Sequence, residues 1–100
     1  MKNINTSEFD TAVKSNVNVI VQFSAEWCGP CKRLSPILDN FAESRPDVTV
    51  FKVDIGTQAD LAVKYSVKSI PKLVFFKNGN KTNEKIGLVN EVKLAELLGE

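Results

Sequence analysis

Ala25-Glu26-Trp27-Cys28-Gly29-Pro30-Cys31-Lys32 sits where the hydrophobic period of the sequence changes. Before it, residues 17–24 are dense in β-branched side chains and read as a buried strand. After it, Leu34, Ile37, Leu38, Phe41 and Ala42 fall on one helical stripe. Pro36 lies inside that stripe and predicts a kink, or the end of a first helical segment. Both cysteines therefore stand where a strand turns into a helix. Unpaired backbone N–H groups and the positive end of the helix dipole favour a thiolate in such a first turn. Thiols so placed have pKa values lowered from about 8.5 to roughly 3.5–7.5. Cys28 is expected to be the more exposed sulfur and the attacking nucleophile. Cys31, one turn into the helix, is expected to be more buried and to resolve the mixed disulfide. Pro30 can occupy an early helical position without losing a needed hydrogen bond, and it stiffens the ring. Gly29 leaves room for a substrate backbone, and Trp27 is expected to shield one side and offer an apolar contact.

The same spacing admits other readings. Two cysteines could be half a zinc site, but the chain has no other Cys and no His. Tetrahedral zinc would need carboxylates or a second chain, so no metal is expected. A purely structural disulfide is weak, because so small a loop removes little entropy from the unfolded chain. Reversible dithiol chemistry, with no cofactor, is the reading that uses both residues.

Composition narrows the setting. One hundred residues, 43% of them apolar, suit a single domain spanning 1–100 with one modest core. A formal charge of +1, with Lys and Arg scattered among Asp and Glu, gives no electrostatic case for nucleic acid or a membrane surface. The longest apolar runs, residues 19–21 and 73–76, are far too short to span a bilayer. The first thirty residues lack a basic region followed by an apolar run, and Met1 opens the chain, so a cytoplasmic, reducing compartment is expected.

The remaining elements alternate. Residues 1–5 form a short extended start. Thr6 and Ser7 can cap a first helix bearing Phe9, Ala12 and Val13, and Ser7 with Asp10 resembles a capping box. Residues 48–55 read as a strand with Thr49, Phe51, Val53 and Ile55 on one face, and residues 58–65 as a short helix burying Leu61, Ala62 and Tyr65. Residues 73–77 are a strand, and Asn78-Gly79 is a strong two-residue hairpin signal into residues 82–86. Asn90 caps a last helix with Leu94, Leu97 and Leu98 inward. The order β-α-β-α-β-α-β-β-α predicts an α/β fold: a mixed central sheet, one pair antiparallel, with helices on both faces.

Residues 25–32 closely resemble the active-site signature of the thioredoxin family. Ile70-Pro71 resembles its second hallmark, an X-Pro bond held cis beside the dithiol. Asn78-Gly79 and Ile86-Gly87 fall where the family places a hairpin turn and a glycine of the docking surface. The similarity runs from Asn5 to Leu98. It implies the thioredoxin fold, a central five-stranded mixed β-sheet flanked by four α-helices. It also implies a monomeric general protein-disulfide reductant that takes electrons from a thioredoxin reductase, passes them to disulfide-containing protein substrates and so serves cell redox homeostasis. Pro71 is expected cis, and Pro30, Pro36 and Pro46 trans. A cis Pro71 would turn the Ile70 backbone outward to pair with an extended substrate segment. Trp27, Gly29, Pro30, Ile55 and Gly87 would complete an apolar patch around Cys28. Ordinary core packing is the competing reading for Ile55 and Ile70.

Three positions depart from the family pattern. Gln22 stands six positions before Cys28, where relatives carry a buried Asp; Gln cannot exchange a proton near neutral pH, so that general-base role does not transfer. Gln22 is expected instead to hydrogen-bond or place water beneath Cys31, with slowed resolution of the mixed disulfide. Lys52, which matches a buried Lys of the family, then lacks its usual partner and either snorkels outward or favours the thiolates. Ser24 replaces a common aromatic residue and is expected to loosen packing beside the site. Lys72 follows Pro71; with Lys32, Arg33 and Lys68 it reads first as solvated surface charge and second as an electropositive rim.

Two rival functions share this pattern. A thiol oxidase or isomerase would use the same fold, but the Gly29-Pro30 dipeptide resembles that of reductants, whereas oxidants of the superfamily commonly carry His before the second Cys. A binding subunit would use the same patch to hold a partner without turnover, and the intact dithiol argues against that as the sole role.

Overall fold

The computed structural model describes residues 1–99. Nine elements follow one another: β1 (Lys2–Asn3), α1 (Thr6–Lys14), β2 (Asn18–Ser24), α2 (Gly29–Ser44), β3 (Val48–Asp54), α3 (Ala59–Lys64), β4 (Lys72–Lys77), β5 (Asn80–Ile86) and α4 (Glu91–Leu97). The five strands form one sheet in the order β1-β3-β2-β4-β5. β1 and β2 run parallel to β3, whereas β4 is antiparallel to both β2 and β5. This is the expected mixed sheet.

Strand alternation divides the apolar residues between two cores. Val19, Val21 and Phe23 of β2 face Phe9 and Val13 of α1 and Leu61 of α3. Ile20 of the same strand faces Leu34, Leu38 and Phe41 of α2 and Leu94 of α4. Two helices thus cover each face. β2 and β4 are buried on both sides, which explains why their sequences read as apolar runs rather than alternations. Each fully buried Leu or Phe of these layers contributes about 1.5–3 kcal/mol. Tyr65, at the C-cap of α3, closes the first core, with its ring centroid 5.2 Å from Phe9 and 5.8 Å from Phe23. Burial, and then the charge of Asp10, raise its hydroxyl pKa.

The hairpin turn and the cap of α4 follow the local sequence signals, whereas the start of α1 and the course of α2 do not. Asn78 and Gly79 have φ of 52° and 82°, the pair of positive values that a tight hairpin turn requires. Asn90 caps α4 by accepting from the Lys93 N–H at 2.9 Å. The cap of α1, however, is Asn5 and not Thr6 or Ser7. The Asn5 side chain accepts from the Glu8 N–H at 2.9 Å, while Glu8 accepts from the Asn5 N–H at 3.0 Å. The capping box therefore begins two residues earlier than Ser7 and Asp10 suggested, and Ser7 donates to the Asn5 carboxamide instead. Nor does Pro36 end a helical segment, because α2 continues through it to Ser44. Leu34, Leu38 and Phe41 stay on one buried face across the proline, and that packing outweighs the loss of one N–H donor. No helix among the described residues is long and apolar enough to cross a membrane.

Candidate active site

β2 delivers the chain to the end of the sheet, and α2 begins five residues after it. Cys28 is the N-cap of α2, in extended backbone at φ −90° and ψ 108°, and Pro30 lies in the first turn, where no N–H is needed. Cys28 and Cys31 are joined as a disulfide, with their Cα atoms 5.3 Å apart. The Cys28 Sγ also accepts from the Cys31 N–H at 3.2 Å. A sulfur thus occupies the position in which Ser or Asp oxygens usually cap helices, and a negative charge there meets unpaired donors and the positive helix end.

The expected contrast in exposure is absent. Cys28 is 4% exposed and Cys31 3%. The reason is local: the Cys28 sulfur is turned into the helix cap and the disulfide, and Ala25, Ile55 and Ile70 pack around the pair. Ile55 and Ile70 are each half-buried, and both touch the cysteine cluster, so the structure brings them together with the dithiol. Trp27 is 77% exposed and stands out from the surface rather than folding over the sulfurs.

Ile70-Pro71 is the one cis peptide bond among the described residues. The Pro71 carbonyl accepts from the Gly87 N–H at 2.9 Å, which draws the end of β5 against the start of β4. Gly87 has φ of 97°, and a Cβ there would meet nothing within 4 Å, so the glycine serves backbone conformation and leaves an open face. Ile86 and Leu88, 54% and 49% exposed, flank it. Leu88 went unread in the sequence; the signal was a Gly between two large aliphatic residues outside any core pattern.

Gln22 lies beneath the dithiol, fully buried on β2. Its Nε2 donates to the Cys31 carbonyl at 3.1 Å. Ser35, one turn along α2, has its Oγ 3.0 Å from the same carbonyl and 3.2 Å from Gln22 Oε1. One hydroxyl proton faces two acceptors, so Ser35 completes a polar clamp between β2 and α2. Its sequence signal was slight: a polar residue one turn after Cys31, just before Pro36.

Lys52 is not part of that clamp. It pairs in register with Gln22, but its side chain borders a cleft of about 350 Å³ together with Ser24, Glu26 and Asp54, and no acceptor meets its ammonium among the described residues. Ser24 is 1% exposed, and its hydroxyl has no partner. Ser24 is one of the residues around that cleft, while its hydroxyl is itself enclosed.

Both sequence readings of Lys72 are overturned. It is 3% exposed, and its Nζ donates to the Tyr65 carbonyl at 2.8 Å, 3.6 Å from a Glu84 carboxylate oxygen. A buried ammonium so engaged is neither solvated surface charge nor part of an electropositive rim. Lys32, Arg33 and Lys68 are exposed.

Comparison with known proteins agrees with this geometry. The family model for thioredoxin matches residues 1–100. A thioredoxin of Mycoplasmoides gallisepticum is 39% identical over 99 residues, covering 98% of this chain and 99% of its own. One of Chlamydia pneumoniae is 41% identical over 100 residues, covering 100% of this chain and 97% of its own. Among solved structures, oxidised mitochondrial thioredoxin 3 of Saccharomyces cerevisiae superposes with a TM-score of 0.89 at 31% identity, covering 99% of this chain and 93% of that one. Plasmodium falciparum thioredoxin superposes with a TM-score of 0.88 at 32% identity, with coverages of 99% and 97%.

Proposed function

The chain belongs to the thioredoxin family of disulfide oxidoreductases, whose targets are disulfide-containing proteins, and from that premise we propose how its own residues divide the work. Cys28 is the nucleophile and Cys31 the resolving residue. The observation that carries this assignment is the position of the Cys28 sulfur at the N-cap of α2, 3.2 Å from the Cys31 N–H. Once the pair is reduced, a thiolate at that point is stabilised by the same donor and by the helix end.

The exchange runs in two steps. The Cys28 thiolate attacks one sulfur of the target disulfide; a Cys28–target bond forms, and the other target sulfur leaves as thiolate. The Cys31 thiolate then attacks the Cys28 sulfur, the ring disulfide closes, and the second target sulfur departs. Two electrons pass to the target, whose leaving thiolates take up protons. Cys31 is buried, so its proton has to leave through its surroundings. Gln22 supplies a donor and an acceptor there but no base, and it is read as holding the Cys31 turn in place while resolution is slowed.

Target binding is assigned to Trp27, Ile55, Ile70, Pro71 and Gly87. Ile55 and Ile70 pack against the cluster of Ala25, Cys28 and Cys31, and the Pro71–Gly87 hydrogen bond sets the edge along which an extended segment can pair. Gly29 and Pro30 are exposed at the start of α2 and leave that approach open. Lys52, in register with Gln22 on the neighbouring strand, is assigned an electrostatic role, its charge favouring thiolate over thiol. The chain is read as one domain over 1–100, acting as a monomer in the cytoplasm, with a thioredoxin reductase returning electrons to the disulfide.

Trapping tests the division of labour. A Cys31→Ser chain, reduced and mixed with a disulfide-containing protein, is expected to accumulate a stable mixed disulfide through Cys28. Cys28→Ser is expected to trap none. Trapping by Cys28→Ser in place of Cys31→Ser would reverse the assignment.

A further inference from the structure

Lys72 directly follows the cis bond, and it is buried. Removing an ammonium from water costs several kcal/mol unless acceptors meet it. Here they come from two other elements: the Tyr65 carbonyl at the end of α3, 2.8 Å away, and Glu84 of β5, 3.6 Å away. Glu84 is held as a carboxylate. Its hydrogen bond from Lys81 and the charges of Lys72 and Lys81 lower its pKa against the opposing effect of desolvation.

The consequence lies in the connection between α3 and β4. Residues 66–71 leave from Tyr65 and arrive at Lys72, so one side chain ties the start of the segment to its end. Within it, Ser66 is at φ 53° and Ile70 packs on the cysteines. The main chain of Lys72 is set in turn between Phe23 of β2 and Ile86 of β5. The strut thus fixes α3, β4 and β5 relative to the ledge that Ile70 and Pro71 form beside the disulfide.

We propose that Lys72 is a positioning residue for protein substrates: by bridging the Tyr65 carbonyl and Glu84 it holds the Ile70-Pro71 ledge where an extended chain can pair beside Cys28. This rests on the reading that Ile70 and Pro71 dock the target. Lys72 touches neither sulfur, so its influence is selective. A protein segment that must lie along the ledge depends on it strongly, and a small disulfide that reaches Cys28 without lying there depends on it less.

The test uses the full chain, reduced and mixed in single turnover with insulin or with DTNB, a small aromatic disulfide. The readout is the ratio of the two rate constants, measured at high salt so that the negative charge of DTNB is screened; a general loss of stability does not shift it. Lys72→Met is expected to lower the insulin-to-DTNB ratio about fivefold, and Glu84→Gln about twofold. Ile70→Ala is expected to lower the ratio as well, and to add little when combined with Lys72→Met. Glu84 is half-exposed, so Glu84→Gln carries the test if Lys72→Met unfolds. A wild-type ratio in Lys72→Met and Glu84→Gln, with a lowered ratio in Ile70→Ala, overturns the proposal and leaves the docking reading standing. A wild-type ratio in Ile70→Ala overturns the docking reading, and the proposal with it.

Discussion

Gln22 of β2 donates through Nε2 to the backbone carbonyl of Cys31 on α2, across 3.1 Å in a fully buried setting. The bond fastens the helical turn that carries the resolving sulfur to the strand beneath it. It also places an amide, which neither takes nor gives a proton near neutral pH, where the buried cysteine has to lose one.

Replacing the amide by an acid therefore has a kinetic signature. Gln22→Asp is expected to speed resolution of the mixed disulfide about tenfold at neutral pH. It should also introduce a pH dependence set by an aspartate whose pKa burial has raised. Rapid-mixing measurement of target thiol release across the neutral range reads both. An unchanged rate and pH profile would show that proton removal from Cys31 does not pass by position 22.

Ser24 offers a test of the cleft. Its hydroxyl is buried without a partner, and such a group costs about 1–3 kcal/mol. Ser24→Ala removes the hydroxyl at little change in shape and is expected to stabilise the chain by about 1 kcal/mol in urea unfolding. A loss of similar size would contradict an unpartnered hydroxyl at this position.

The start of α1 gives a third expectation. Asn5→Ala should cost about 1 kcal/mol of stability, since it removes the acceptor for the Glu8 N–H. Ser7→Ala should cost only a few tenths of a kcal/mol, because Ser7 caps nothing and only supports Asn5. Equal costs in thermal or urea unfolding would contradict the observed cap.

Much of this fold follows from short-range patterns. Residues 19–21 and 73–76 are apolar on successive positions because helices cover both faces of β2 and β4. Asn78-Gly79 marks a turn because few other pairs tolerate two positive φ values. The dithiol was legible for a similar reason: two cysteines at a strand-to-helix junction have one evident chemistry.

What sequence could not supply is a partner distant along the chain. Asn5, Thr6 and Ser7 are all good caps, and only the path of the chain out of β1 selects Asn5. Pro36 breaks helices in general, but the buried face of Leu34, Leu38 and Phe41 keeps α2 whole. Lys72 looked like surface charge because Tyr65 and Glu84, seven and twelve positions away, are invisible as neighbours until β4 and β5 pair. Cys28 looked exposed because a helix start faces solvent, yet its own cap contact and the disulfide turn the sulfur inward.

The central claim is that this dithiol donates electrons to protein disulfides, and its equilibrium reduction potential tests that most directly. Glutathione redox buffers, with the two forms of the Cys28–Cys31 pair separated and quantified, supply the measurement. A potential near about −270 mV is expected of a reductant whose oxidised ring is stable. A potential above about −200 mV would instead make the pair an oxidant or isomerase and contradict the assignment.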